Sequence, residues 1–251
     1  MSTPRRRTPV PTSSIPFITR ISVPKANGRE EDFPFTLRYL RDGLDLSFDR
    51  FVTFFAGENG SGKSTLLEAI AEKCGFNPAG GNRNHTYDHY RTESDLASEL
   101  TISWRRSQIK AGFCLRAESF FNFATYMDQV GPPRGMSFHR QSHGESFLAA
   151  FDRYLDSDEG IYLLDEPEAA LSPARQLAFL RILYDLSVPR RGQFIIATHS
   201  PIVLAFPGAS ILWFDERGIT PVEYGETEHY RITKRFLDNP ESYFATLFSD
   251  D

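Results

Sequence analysis

The sequence predicts an α/β fold. It comprises a mainly parallel sheet flanked by helices, an antiparallel β part at residues 15–50 and a small helical lobe at 76–145. Three observations carry this prediction. From residue 51 onward, short apolar runs alternate with helical patterns, which marks strands buried on both faces of a parallel sheet. The first 50 residues instead alternate with a period of two. Between these regimes "FVTFF" runs into "AGENGSGKST" and then into a helical pattern. The 251 residues, 40% hydrophobic and 24% charged, suit one domain at 15–251 preceded by a disordered Pro/Ser/Thr/Arg-rich tail at 1–14.

"FITRISV" puts Phe17, Thr19, Ile21 and Val23 on one face, "FPFTLRYL" does so with Phe33, Phe35, Leu37 and Tyr39, and "LDLSF" with Leu44, Leu46 and Phe48. Asn27-Gly28 and Asp42-Gly43 supply the turns of this antiparallel part. "FVTFF" at 51–55 is a buried strand. Leu66, Leu67, Ile70 and Cys74 then mark a helical face, closed by "NPAGGN". Residues 83–110 are polar, with no element assigned. "AGFCL" at 111–115 reads as a strand and "ESFFNFATYMDQV" at 118–130 as a helix. Leu148, Phe151 and Leu155 mark another helix, and "IYLL" at 161–164 a strand. Ser172-Pro173 opens a helix carrying Phe179, Ile182, Leu183 and Leu186. "QFIIAT", "SILWF" and "ITPVEY" are strands, and the chain turns helical from Thr227.

Gly57, Gly62, Lys63 and Ser64 fit G-x-x-x-x-G-K-[ST] between a strand and a helix, the arrangement of a phosphate-binding loop. Gly57, Glu58, Asn59, Gly60, Ser61, Gly62, Lys63, Ser64 and Thr65 would wrap their amides around phosphate, at the positive end of the helix that follows. Lys63 would neutralise phosphate oxygens and Ser64 would ligate Mg²⁺. Asp165, at the end of an apolar strand, is the second candidate metal ligand, and Glu166 a carboxylate able to orient or deprotonate the attacking water. His199 in "ATHSP" is placed to sense a terminal phosphate. The same stretch also reads as a helix start, with Ser200 capping ahead of Pro201.

A net charge of −5 gives no overall bias toward nucleic acid or anionic membranes. Local basic groups remain: Arg5, Arg6 and Arg7 in the tail, and Arg83, His85, His89, Arg91, Arg105, Arg106 and Lys110 interleaved with Tyr87, Tyr90 and Trp104. The second group suits nucleic-acid contact or a solvated lobe. Cys74 and Cys114 lack metal-ligand spacing and read as buried, reduced thiols. No apolar stretch approaches the roughly 20 residues that span a bilayer, and no signal sequence is expected, so the chain reads as cytoplasmic.

The phosphate loop, "DEP" after an apolar strand, "ALS" and "THS" together resemble the ATP-binding-cassette (ABC) ATPase superfamily across about residues 40–215. "QSHGES" stands where that family carries its signature motif. The resemblance implies that Ser142 and Gly144 contact a nucleotide held by a second subunit, in an ATP-dependent head-to-tail homodimer using ATP and Mg²⁺. "EAALSP" is similar to the interface loop of the family but lacks its aspartate. Where the family has a glutamine after the strand at 111–115, this chain has Arg116-Ala117-Glu118. Tyr39 and Phe35 are the candidates for stacking on adenine. The stretch from Ser64 to Ser142 has no room for a coiled-coil arm and no heptads. The chain thus resembles the compact soluble branch, which implies an ATPase switch in DNA repair or anti-phage defence. The alternatives are a transporter's nucleotide-binding subunit and a non-hydrolysing, ATP-dependent interaction module.

Overall fold

A computed structural model describes residues 15–77, 95–105, 111–116 and 159–249. Within them β1 (Ile18–Val23), β2 (Leu44–Ser47) and β4 (Thr101–Trp104) form an antiparallel sheet in the order β2-β1-β4. A second sheet joins β3 (Val52–Gly57), β5 (Gly112–Arg116), β6 (Gly160–Asp165), β7 (Gly192–Ala197), β8 (Ser210–Asp215) and β9 (Gly218–Val222). Its order is β5-β6-β7-β3-β8-β9, parallel throughout except at β8–β9. The helices are α1 (Arg38–Arg41), α2 (Lys63–Cys74), α3 (Leu96–Glu99), α4 (Pro173–Ser187), α5 (Pro201–Leu204), α6 (Glu228–Asp238) and α7 (Pro240–Leu247). This is the expected α/β architecture.

The central strands are apolar because both of their faces are covered. Val52, Phe54 and Ala56 of β3 join one buried cluster with Phe179 and Leu183 of α4. Phe55 joins the other, with Leu66 and Ile70 of α2 and Ile18 and Ile21 of the antiparallel sheet. Gln193, fully buried on β7, links the two sheets: it accepts from the Ile18 amide at 2.7 Å and donates to the Ile18 carbonyl at 3.0 Å. That pairing satisfies a buried side chain and a backbone residue that the sheet ladders leave open.

Four local expectations are corrected. The strand expected at 33–40 is a series of turns ending in α1. Pro34 has no amide for a ladder, Phe33 is 66% exposed and Phe35 is buried, with the Arg29 guanidinium 4.3 Å from its ring centre. The third antiparallel strand is instead β4, from the stretch given no element. At the start of β1 Ile18 is buried, as is Phe17 just before the strand, and the pairing with β4 shifts register between Ile18 and Arg20. A bulge there breaks the simple alternation. Finally, α2 stops at Cys74, before "NPAGGN", with Gly75 in the left-handed conformation donating to Ala71 and Glu72.

Arg105, one of the candidate nucleic-acid cations, is a structural residue. Its side chain is 8% exposed, donates to the Ile15 carbonyl at 2.8 Å and pairs with Glu159. The other cations of that group, the tail, and the helices expected at 118–130 and around Leu148, Phe151 and Leu155 lie outside the described residues. Both cysteines are buried free thiols. No helix of the described residues is long and apolar enough to cross a membrane.

Candidate nucleotide site

The loop from Gly57 to Gly62 leaves the end of β3 and turns into α2. At Gly57 the backbone takes φ +136° and runs so close to β8 that a Cβ would overlap the Phe214 carbonyl, a conformation and a space open only to glycine. Glu58, Asn59 and Gly60 are exposed at the tip, and Ser61, Gly62, Ser64 and Thr65 are half-buried. Tyr39 supports the loop from beneath, donating to the Gly62 carbonyl at 2.9 Å. The first amides of α2, from Lys63 to Thr65, have no carbonyl four residues back to bond, and no acidic residue lies in that first turn. A helix start of this kind favours an anion.

Lys63 is buried and folded back onto its own loop. Its ammonium donates to the carbonyls of Gly57 at 2.9 Å and Glu58 at 2.6 Å. Burial lowers its pKa, while Glu166, Asp165, Glu168 and Glu58 pull it back up. Ser64 donates its hydroxyl to Asp165 Oδ1 at 3.0 Å, across 101 residues of sequence. Asp165 ends β6, and burial pushes its carboxyl up to about 6 against the opposing pull of Arg116 and the Ser64 hydroxyl. The Arg116 guanidinium sits 3.4 Å from Asp165 Oδ2 and also pairs closely with Glu68 of α2. Register explains this, since Arg116 of β5 lies directly opposite Asp165 of β6.

Glu166 follows with φ +48° and ψ +50°, a left-handed conformation that costs a non-glycine residue on the order of 1 kcal/mol or more. Its amide donates to the Ala197 carbonyl at 2.9 Å, which ties the end of β6 to β7. The result turns the carboxylate toward His199, with Glu166 Oε1 3.5 Å from His199 Nε2. Burial, followed by the charge of Lys63 and the neighbouring His229, pushes the His199 imidazole down to about 4. The ring is therefore neutral at pH 7, and the contact with Glu166 is between an uncharged imidazole and a carboxylate. The His199 backbone is fixed separately: its amide donates to Glu168 Oε1 at 2.6 Å. Burial raises the Glu168 carboxyl, and the His199 amide restrains that rise. Ser200 is the cap that the sequence allows. Its hydroxyl accepts from the Ile202 and Val203 amides, both at 3.2 Å, and donates to the buried Gln176 at 2.6 Å. The cap reading of "ATHSP" therefore holds at Ser200, with His199 placed beside Glu166.

The site accommodates a phosphate and a divalent ion on observable grounds. Gly60 faces open space, the helix start presents amides, and the Nε2 atoms of His199 and His229 are buried without a hydrogen-bond partner. Ser64 and Asp165 offer one hydroxyl and one carboxylate oxygen, a set that suits Mg²⁺ completed by phosphate and water. Among the described residues no group of three or more His, Cys, Asp or Glu forms a metal centre of its own.

Two family models match the chain, "AAA domain" over residues 36–110 and "AAA domain, putative AbiEii toxin, Type IV TA system" over residues 133–205. "Thiamine import ATP-binding protein ThiQ" of Histophilus somni (strain 129Pt) is 29% identical over 179 residues, covering 62% of this chain and 82% of that protein. A solved structure described as "An inward-facing conformation of a putative metal-chelate type ABC transporter" superposes with a TM-score of 0.51 at 15% identity, covering 88% of this chain and 89% of that chain. It shares the fold. The chain is thus similar in sequence to an ABC-type ATP-binding protein and shares its fold with an ABC transporter structure. "Protein ea59" of Escherichia phage lambda is 43% identical over 77 residues, which is 30% of this chain but only 15% of that protein's length.

The structure gathers Lys63, Ser64, Asp165, Glu166 and His199 at one end of the parallel sheet. Ser142 and Gly144 lie outside the described residues. The two aromatic residues considered for adenine are both core: Phe35 and Tyr39 are buried, so neither ring presents a free face. Three neighbours of the site escaped the sequence reading of roles. Glu168 and Gln176 act through a backbone amide and a cap, which no motif encodes. His229 comes from a helix start far along the chain, where only "TEHY", an N-cap followed by a half-buried histidine, marks its position.

Proposed function

We propose that this chain binds ATP with Mg²⁺, hydrolyses it, and uses the cycle to close and open a head-to-tail homodimer. The observation carrying this reading is the hydrogen bond of Ser64 to Asp165 at 3.0 Å, with Glu166 the next residue and His199 beside it. Bound Mg²⁺ would supply charge neutralisation at the β- and γ-phosphates, held by Ser64 and Asp165. Lys63 leaves the carbonyls of Gly57 and Glu58 to neutralise phosphate oxygens. Glu166 orients the attacking water or takes its proton. His199, neutral at pH 7, contacts the terminal phosphate. Ser142 and Gly144 of one subunit meet the nucleotide held by the other. Closure is driven by the difference in ATP affinity between closed and open states.

For the setting we propose a cytoplasmic role in DNA repair or anti-phage defence, supported by the family model described with the AbiEii toxin. A second reading, the nucleotide-binding subunit of a transporter, is favoured by the likeness to the thiamine-import ATP-binding protein. A non-hydrolysing, ATP-dependent interaction module is the third. The test is light scattering of Glu166→Gln with and without ATP–Mg²⁺, beside steady-state turnover of the unmutated chain. An ATP-dependent dimer with lost turnover supports the hydrolytic switch. Unchanged turnover supports the non-hydrolysing module. A monomer that binds ATP in both conditions points to a missing partner subunit, as the transporter reading requires.

A further inference from the structure

We propose that Arg116 is a positioning residue that makes metal entry depend on nucleotide: its guanidinium holds Asp165 as a counter-ion until phosphate arrives, then yields that carboxylate to Mg²⁺ and stays on Glu68. This inference rests on nucleotide binding at the loop.

The arrangement brings together four side chains from three elements. Arg116 ends β5 and stands in register opposite Asp165 at the end of β6. Ser64 and Glu68 lie one turn apart on α2, so they share a helix face. The two oxygens of Asp165 are divided between neighbours. Oδ1 accepts from the Ser64 hydroxyl at 3.0 Å, and Oδ2 lies 3.4 Å from Arg116 Nε. Another nitrogen of the same guanidinium donates to Glu68 Oε1 in a close, charged hydrogen bond. Asp165 is buried, and Arg116 and Glu68 are half-buried.

The two sides of Arg116 are unequal, and the inequality decides which one gives way. The Glu68 side is a charge-assisted hydrogen bond, among the stronger contacts a side chain makes. The Asp165 side is a charge contact at longer range. Asp165 is also the carboxylate that, with Ser64, suits a divalent ion. A cation ligated there would stand beside a guanidinium that already neutralises the same carboxylate, and like charges repel strongly where burial lowers the dielectric. Metal alone is therefore disfavoured. Nucleotide phosphates reverse the balance, because they add negative charge and further oxygen ligands. Glu68 keeps the displaced guanidinium paired, so no buried charge is stranded when Asp165 turns to the metal. The coupling is reciprocal: what phosphate does for metal affinity, metal does for nucleotide affinity.

The experiment measures Mg²⁺ affinity without nucleotide by calorimetry, with the Mg²⁺-induced rise in Tm as a check, for the unmutated chain, Arg116→Gln, Arg116→Lys and Glu68→Gln. Arg116→Gln removes the competing charge and is expected to bind Mg²⁺ about three- to tenfold more tightly, the scale of one partly buried ion pair. Arg116→Lys keeps the charge but loses the planar fork that spans Glu68 and Asp165, and is expected between the two. Glu68→Gln leaves the guanidinium to Asp165 alone and should weaken Mg²⁺ binding below that of the parent. A second readout is ATP affinity in EDTA and in Mg²⁺. The gain on adding Mg²⁺ should be smaller in Arg116→Gln by the same factor that tightens its metal binding. If no chain binds Mg²⁺ alone measurably, that gain decides, and an equal gain in parent and Arg116→Gln overturns the inference. Equal Mg²⁺ affinity in parent and Arg116→Gln, with Tm lowered, shows a purely structural arginine and also overturns it. Arg116→Lys matching the parent shows a general charge effect and overturns the positioned pair. If Arg116→Gln does not fold, the opposite shifts expected of Arg116→Lys and Glu68→Gln carry the contrast. No ATP binding by the unmutated chain overturns the nucleotide reading instead.

Discussion

Replacing Gly57 and Gly60 separately by alanine distinguishes two physical costs within one loop. Both glycines sit at positive φ, +136° and +77°. At Gly60 a Cβ meets nothing within 4 Å, so the cost is backbone strain alone, about 1–2 kcal/mol. At Gly57 the Cβ overlaps the Phe214 carbonyl, a backbone atom of β8 that cannot rotate away. Strands β3 and β8 must separate locally, which adds about 1–3 kcal/mol of overpacking and brings the total to about 2–5 kcal/mol. At about 2–4 °C per kcal/mol for a domain of this size, Gly60→Ala lowers Tm by roughly 2–8 °C and Gly57→Ala by roughly 4–20 °C. Thermal unfolding followed by circular dichroism, with urea denaturation as a check, reads the difference. Equal stability of the two variants would refute the claim that loop and sheet meet too closely at Gly57 for any side chain.

Arg116→Ala leaves Asp165 and Glu68 without their shared cation, and is expected to lower stability by about 1–3 kcal/mol. Millimolar Mg²⁺ should restore part of that loss, seen as a larger Mg²⁺-induced rise in Tm than in the parent. Ser200→Ala removes a cap that serves two amides and strands the Gln176 amide oxygen. It should cost about 1–2 kcal/mol in chemical denaturation. The pH dependence has two opposing parts. His199 binds its proton near pH 4 when folded and near 6.5 when unfolded, so its contribution is complete above pH 6.5 and is lost as the pH falls toward 4. Asp165 titrates near 6 when folded and 3.8 when unfolded, so its contribution rises as the pH falls through the same window. His199→Gln should therefore flatten or reverse the acid loss of stability, and Asp165→Asn should steepen it. Denaturation midpoints between pH 4 and 7 that move in parallel for both variants would contradict these assignments.

The sequence conveyed local geometry well and distant partnership poorly. The strand–loop–helix around Lys63 was legible because glycine spacing, apolar run and helical period are each encoded within a few residues. Asp165 was legible because an apolar strand must end at the loops of a parallel sheet. The strand expected at 33–40 failed because alternation of aromatic residues does not report burial: Phe33 is exposed and Phe35 is not. Strand β4 was missed because it is four residues long and acquires its identity only by pairing with β1, about eighty residues earlier. Arg105 was misread because an arginine's charge is visible in sequence whereas the Glu159 and Ile15 partners that bury it are not.

The position of β3 has a consequence for how the molecule comes into being. It stands at the centre of the sheet, yet its two neighbours are β7 and β8, which end at Ala197 and Asp215. During synthesis Phe54 and Phe55 emerge well before either neighbour and wait with both strand edges bare until β7 and β8 follow. Non-local pairing of this kind is slow and exposes surfaces prone to misassembly. A ribosome stalled before β7 would display an unpaired aromatic strand that native contacts cannot cover. The phosphate loop gains its flanking strands only after Ala197 and Asp215 have been added, so the loop cannot take its final setting before then.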